Sequence, residues 1–119
     1  MKLAVTSQGN TLDSQVDQRF GRAAYVLIVD TETLEFEAFD NNENKNAFKG
    51  AGIQAAAMIS DKNAEVLLTG FCGPNAFKVL NAAKIKVASD AKGTVRDAVE
   101  SFTQGKLTFS DQATVEGHW

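Results

Sequence analysis

The chain of 119 residues contains one cysteine, one histidine, one proline, one tryptophan and one tyrosine. A lone cysteine excludes an intramolecular disulfide. With so few soft ligands there is no Cys-x-x-Cys, no His-x-x-x-His and no paired Cys/His spacing, which argues against a self-sufficient zinc or iron–sulfur site. There is no G-x-G-x-x-G and no P-loop, so neither a dinucleotide nor a nucleoside triphosphate is implied. No Ser–His or Cys–His pair stands at a plausible spacing for nucleophilic catalysis, beyond Cys72 and the distant His118. No apolar run approaches the roughly 20 residues of a membrane span. Met1-Lys2 leads straight into an alternating segment rather than into a charged region followed by an apolar one. A reducing cytoplasm is the expected compartment. The net charge of −3 gives no global attraction to nucleic acid or to an anionic membrane, so an anionic ligand would need a local cluster of cations or amides.

Hydrophobic residues make up 44% and charged residues 23%, the composition of a folded protein. At this length about two-thirds of the unfolded surface is buried on folding, enough for a core without disulfides or structural zinc. The pattern predicts a strand over residues 2–6, a long loop over 7–24, and a central strand over 25–30 (Tyr-Val-Leu-Ile-Val-Asp). A tight turn over 31–33 and a hairpin partner over 34–39 follow. Residues 40–48 are polar, asparagine-rich and expected to be mobile. A helix is predicted over 50–60, with Ile53, Ala56 and Ala57 on one face. After a short buried strand over 65–69 and the turn Gly70-Phe71-Cys72-Gly73, Pro74 opens a helix that places Ala76, Phe77, Leu80 and Ala83 together. Residues 85–88 form a strand. Thr94-Val95-Arg96-Asp97 fits a capping box, Val95, Ala98, Val99 and Phe102 recur at helical spacing, and Gly105 ends the helix. The expected organisation is one domain over residues 1–105 and a polar C-terminal tail over 106–119.

The order β-β-β-α-β-α-β-α predicts an α/β fold with a five-stranded mixed sheet, order 3-2-1-4-5, in which strand two alone is antiparallel, and three helices. This is the ribonuclease-H-like arrangement. A flavodoxin-like sheet would need a helix between the first two strands, and residues 7–24 are a poor helix. In the predicted order the loops after strands one and four diverge and open a crevice at the carboxyl ends of the strands. The loops over 40–48 and 89–93 hang over the same end.

Four features converge there. Ser7-Gln8-Gly9-Asn10 is a polar turn that offers backbone N–H groups. Asp17-Gln18-Arg19-Phe20-Gly21-Arg22-Ala23 carries two guanidinium groups. Gly70-Phe71-Cys72-Gly73-Pro74-Asn75 places a thiol just ahead of a helix start, where the free amides and dipole favour an anion and would lower the thiol pKa. The fourth is the loop with Lys45 and Lys49. Plainer readings stand beside these. Arg19 and Arg22 also serve as surface ion-pair partners, Cys72 as a small core residue, Phe20 as a plug for its loop, His118 as a solvated tail residue, and Lys45 and Lys49 as solvated cations. A nuclease reading of the fold lacks the acid it needs on the first strand, and Asp13, Asp17, Asp30 and Asp40 are not obviously convergent.

Three stretches carry a family resemblance: Val16-Asp17-Gln18-Arg19-Phe20-Gly21-Arg22-Ala23, then Leu68-Thr69-Gly70-Phe71-Cys72-Gly73-Pro74-Asn75-Ala76-Phe77, then Ala83-Lys84-Ile85-Lys86-Val87 leading into Gly93-Thr94-Val95. The chain resembles the dinitrogenase iron–molybdenum cofactor biosynthesis family, small carriers and insertases of cofactor precursors. The resemblance implies a ribonuclease-H-like fold, no catalysis, and an anionic metal–sulfur cluster held mainly by electrostatics and hydrogen bonds. The implied cluster is a mixed molybdenum–copper sulfide; the alternative is an iron–molybdenum–sulfur cofactor precursor. Proteins that donate or receive the cluster are the implied partners. The expected contacts are Ser7, Gln8, Gly9, Arg19, Phe20, Gly21, Arg22, Phe71, Cys72, Gly73 and Asn75, with Cys72 and His118 as candidate metal ligands. One departure matters: many members carry a histidine just before the Phe-Gly pair, where this chain has Arg19. A charge contact then replaces a direct imidazole–metal bond. The other reading carried forward is a protein–protein adaptor without a metal of its own.

Overall fold

The computed structural model describes residues 1–41 and 51–109. The polar stretch expected to be mobile lies outside the described residues from position 42 onward, with Lys45 and Lys49. The tail from position 110, with His118, lies outside them too. The elements are β1 (Lys2–Ser7), β2 (Tyr25–Asp30), β3 (Phe36–Asp40), α1 (Ala51–Asp61), β4 (Val66–Leu68), α2 (Pro74–Ala82), β5 (Lys86–Ala88) and α3 (Val95–Thr103). The sheet order is β3-β2-β1-β4-β5, and β2 alone runs antiparallel to the rest, as the sequence predicts.

The sheet is covered on both faces, which is why β2 reads as an unbroken apolar run rather than an alternating one. Ala4, Val26, Ile28, Leu67 and Val87 point to the layer of α1 and α2. Leu3, Val5, Leu27, Val29, Val66, Leu68 and Ala88 point to the layer of α3, joined there by Leu12 and Val16 from the β1–β2 connection. The parallel pairs of β1 with β4 and β4 with β5 set the carboxyl ends of these three strands on one edge. Because β3 is also parallel to β1, Asp40 ends on that edge as well.

Several local expectations need correction. The buried face of α1 is Gly52, Ala55, Ala56 and Ile59, whereas Ile53 is 41% exposed and Ala57 faces solvent. Both sets have helical spacing, and an alanine-rich stretch gives little contrast with which to choose between them. On α2 the buried residues are Ala76, Phe77 and Leu80; the helix ends before Ala83, and Lys84 takes the left-handed conformation with φ 62°. The turn after β2 is longer than predicted. Asp30 accepts hydrogen bonds from the amides of Glu32 (2.8 Å) and Thr33 (3.3 Å), which hold its carboxyl below the usual range. Leu34 adopts φ 62°, so β3 starts at Phe36. The capping box is present as read: Thr94 Oγ1 accepts from the Asp97 amide at 3.0 Å, and Asp97 Oδ2 accepts from the Thr94 amide at 3.1 Å.

The corrected α1 face gives a direct test. Ile59→Ala opens a cavity in the core and should cost about 2–5 kcal/mol of unfolding free energy. Ile53→Ala should cost below about 0.5 kcal/mol, as for most surface changes. Equilibrium denaturation in urea measures both.

Candidate functional site

The segment between β1 and β2 does not leave the sheet to one side. It folds back and crosses the carboxyl edge. Ser7 bridges Val16, Gln15 bridges Thr94, and Arg19 pairs in parallel with Phe71. The Phe71 amide donates to the Gln18 carbonyl (2.6 Å) and the Phe20 amide to the Phe71 carbonyl (3.0 Å). Val16 N donates to the Gly93 carbonyl (2.9 Å), and Gln18 Nε2 to the Ala91 carbonyl (3.2 Å). The predicted divergence of the loops after β1 and β4 is therefore wrong. These loops are stitched together, and so is the one after β5. The connection is long enough to return to the sheet, and its return satisfies backbone groups at the strand ends that would otherwise be buried unpaired.

Gly70 permits the closest approach of this crossing. A Cβ there would stand 2.7 Å from the Gln18 carbonyl oxygen and 2.8 Å from its Cα, both backbone atoms that cannot swing aside. Two further anchors fix the crossing. Thr6 Oγ1 donates to the Asp17 carbonyl (2.6 Å) and lies 2.8 Å from Thr69 Oγ1. Asn41 Nδ2 donates to the carbonyls of Gly21 (3.2 Å) and Ala23 (2.9 Å), tying the end of β3 to the same segment. Gly21 takes φ 91°, a conformation open to glycine.

The expected contacts separate into two groups. Ser7 is buried, and its Oγ both donates to the Gly9 carbonyl (2.7 Å) and accepts from the Gly9 amide (3.2 Å). The Gln8 amide donates to Gln15 (2.9 Å). These amides are taken by the protein's own acceptors, so the turn does not offer them to a ligand. Phe20 is fully buried in the layer of α1 and α2, the plug of the plainer reading. Arg22 is half-buried and engaged.

Cys72 requires the largest revision. It is fully buried beside Phe20 and Ala76, with Sγ 3.7 Å from the Gly73 carbonyl oxygen. Burial pushes its thiol up to about 12, the opposite of the expected lowering. Desolvation of the thiolate outweighs the helix field. A neutral, enclosed thiol is a poor metal ligand.

What stays accessible is compact. Arg19 has a side chain 55% exposed. Phe71, its backbone partner in the bridge, is 45% exposed. Two residues beyond Phe71, the buried Gly73 is the N-cap of α2 with no side-chain cap, and Asn75 is exposed on the first turn. Pro74 has no amide, the Phe77 amide donates to the Gly73 carbonyl (3.0 Å) and Ala76 is fully buried, so Asn75 is the exposed amide-bearing residue at the positive end of the helix dipole. The backbone of a cationic residue and an uncapped helix start are thus brought to the same edge. Sequence reading missed Thr6, Thr69 and Asn41, whose role is to hold this arrangement, and gave Asp17 no part in it. Buried hydrogen-bonding residues of this kind leave no spacing signal. Among the described residues no cluster of three or more His, Cys, Asp or Glu could hold a metal ion.

The family described as dinitrogenase iron–molybdenum cofactor matches residues 1–105. The chain belongs to that family. Among solved structures it is 44% identical to the apo form of the orange protein from Desulfovibrio gigas, over 96% of each chain, with a TM-score of 0.93. The sequence blocks described above also point to the orange protein. A proposed NifB protein from Thermotoga, of the DUF35 family, is 35% identical over 98% of each chain, with a TM-score of 0.83. A proposed dinitrogenase from Methanocaldococcus jannaschii is 16% identical over 94% of this chain and 96% of that one, at a TM-score of 0.69, a likeness of fold alone. No match was found among functionally curated proteins. In this dinitrogenase-cofactor family fold, no helix among the described residues is long and apolar enough to cross a membrane.

The buried thiol has a measurable consequence. Below about pH 9 both folded and unfolded thiols are protonated, and Cys72 adds no pH dependence to stability. Between about 9 and about 12 the unfolded chain gives up the proton while the folded one keeps it, so unfolding becomes easier as pH rises. Cys72→Ala should remove that part of the alkaline slope in urea titrations. At pH 8, Ellman's reagent should label the native chain far more slowly than the urea-unfolded one; equal rates would contradict the burial.

Proposed function

We propose that the chain is a non-enzymatic carrier or assembly scaffold for an anionic metal–sulfur cluster, a mixed molybdenum–copper sulfide in the first instance. Residues 1–105 form the carrier domain, and residues 106–119 are its tail. The cluster is cargo, taken from one protein partner and passed to another in the cytoplasm. The observation that carries this reading is the Arg19–Phe71 bridge, which pairs the backbone of a cationic residue with Phe71, two residues before the uncapped start of α2. Family membership supplies the class of ligand.

The chemistry fits a cradle better than a ligand cage. An anion with several sulfur atoms accepts from the guanidinium fork and from the Asn75 amide at the α2 start. A hydrogen bond to a charged group contributes roughly 1.5–3 kcal/mol, and a helix start about 0.3–1 kcal/mol. Arg19, Phe71 and Asn75 are the exposed contacts of this reading, and the buried Cys72 and Gly73 are left out of it.

Apo-protein incubated with tetrathiomolybdate and copper, then desalted, should keep a charge-transfer colour with molybdenum and copper co-eluting. Protein that emerges colourless and metal-free would count against the carrier and favour the adaptor. Arg19→Ala should lose metal roughly tenfold more readily, a deficit of about 1.4 kcal/mol. Lys62→Ala removes a cation stacked at 4.7 Å over Phe39, and should behave like the unaltered chain. Equal losses in the two variants would discredit the site.

A further inference from the structure

Asp17 is 4% exposed, a buried carboxylate that the cluster-binding reading leaves without a task. Both of its backbone groups are fixed to the end of β1, its amide donating to the Thr6 carbonyl (2.9 Å) and its carbonyl accepting from Thr6 Oγ1 (2.6 Å). Its side-chain Oδ1 accepts from the Arg19 amide (3.1 Å) and from Arg19 Nε (3.4 Å). Among the described residues nothing else pairs with this carboxylate or with the guanidinium.

We infer that Asp17 is the positioning residue of the site: it takes the Nε side of the Arg19 guanidinium and leaves the two Nη groups for an anionic ligand. The inference rests on the carrier reading for the identity of that ligand. The geometry gives Asp17 this role because a buried charge needs a partner, and Arg19 is the partner supplied. Reciprocally, a long exposed side chain loses its rotamer freedom in advance, so less entropy is lost when the ligand arrives. The negative charge itself disfavours an anion. The useful property of Asp17 is the acceptor oxygen, anchored through Thr6, rather than its charge.

The conservative variant separates the two. Asp17→Asn keeps an acceptor at Oδ1 and removes the charge. It should retain the molybdenum–copper sulfide as well as the unaltered chain or better. Asp17→Ala removes the acceptor and should lose metal as readily as Arg19→Ala, with the double variant Asp17→Ala/Arg19→Ala no worse than either. In the apo-protein, proton exchange at Arg19 Nε, followed by nitrogen-15 NMR, should be slow in the unaltered chain and in Asp17→Asn, and at least severalfold faster in Asp17→Ala. Exchange that is equally fast in all three would overturn the inference, whatever the metal data show. Slow exchange that depends on residue 17, in a chain that takes up no cluster, would uphold the positioning role while the carrier reading fails. Asp17→Asn losing metal as fully as Asp17→Ala would overturn it too.

Discussion

Three buried polar residues, Thr6, Thr69 and Asp17, meet where β1 and β4 end, and their hydrogen bonds decide how the chain crosses the sheet edge. A hydroxyl or carboxylate enclosed there is costly unless satisfied. The β1–β2 connection supplies the missing partners by folding back over the edge, and in doing so it fixes the register of everything downstream. Phe20 enters the core on one side of the crossing, while Arg19 emerges on the other. Gly70 is the point at which the two strands of backbone come closest. The exposed Arg19 and Phe71 surface is a by-product of this polar lock.

Much of the fold was legible because it rests on strong periodicity. The β-branched run of β2, the Pro74 start of α2 and the Thr94–Asp97 capping box each have a local physical signature, and all three stand where the pattern places them. The site was less legible. Its contact set contained Arg19, Phe71 and Asn75, which remain exposed, but also Phe20 and Cys72, which are core. Proximity along the chain was read as proximity to a ligand. Burial is a property of the assembled layers, and the local motif does not encode it. The alanine-rich α1 shows the same limit: with little difference in side-chain volume around the helix, only the packed neighbour decides that Ile59 is inside and Ile53 outside.

Arg19 stands where the family resemblance implies a histidine, and that difference has a physical meaning. An arginine offers no lone pair to a metal, but it offers a fixed fork of donors to sulfur and oxygen. In the proposed site, with the thiol sealed in the core, it favours charge and hydrogen bonding over coordination. A ligand held in this way is released when a partner presents better donors or when salt screens the contact, since exposed charge interactions weaken over a Debye length of about 8 Å at physiological ionic strength. Reversible holding is what a carrier needs, and a cage of metal bonds would work against it.

The proposed resting place of an anionic metal–sulfur cluster is the Arg19 and α2-start surface of the carboxyl edge. The most direct measurement is a map of backbone amide shifts during titration of the nitrogen-15-labelled chain with preassembled molybdenum–copper sulfide. The largest changes are expected at Arg19, Phe71 and Asn75, with Gln8 and Gly9 nearly unmoved because their amides are already bonded within the protein. Changes centred on Gln8 and Gly9, or spread evenly over the sheet edge, would contradict it.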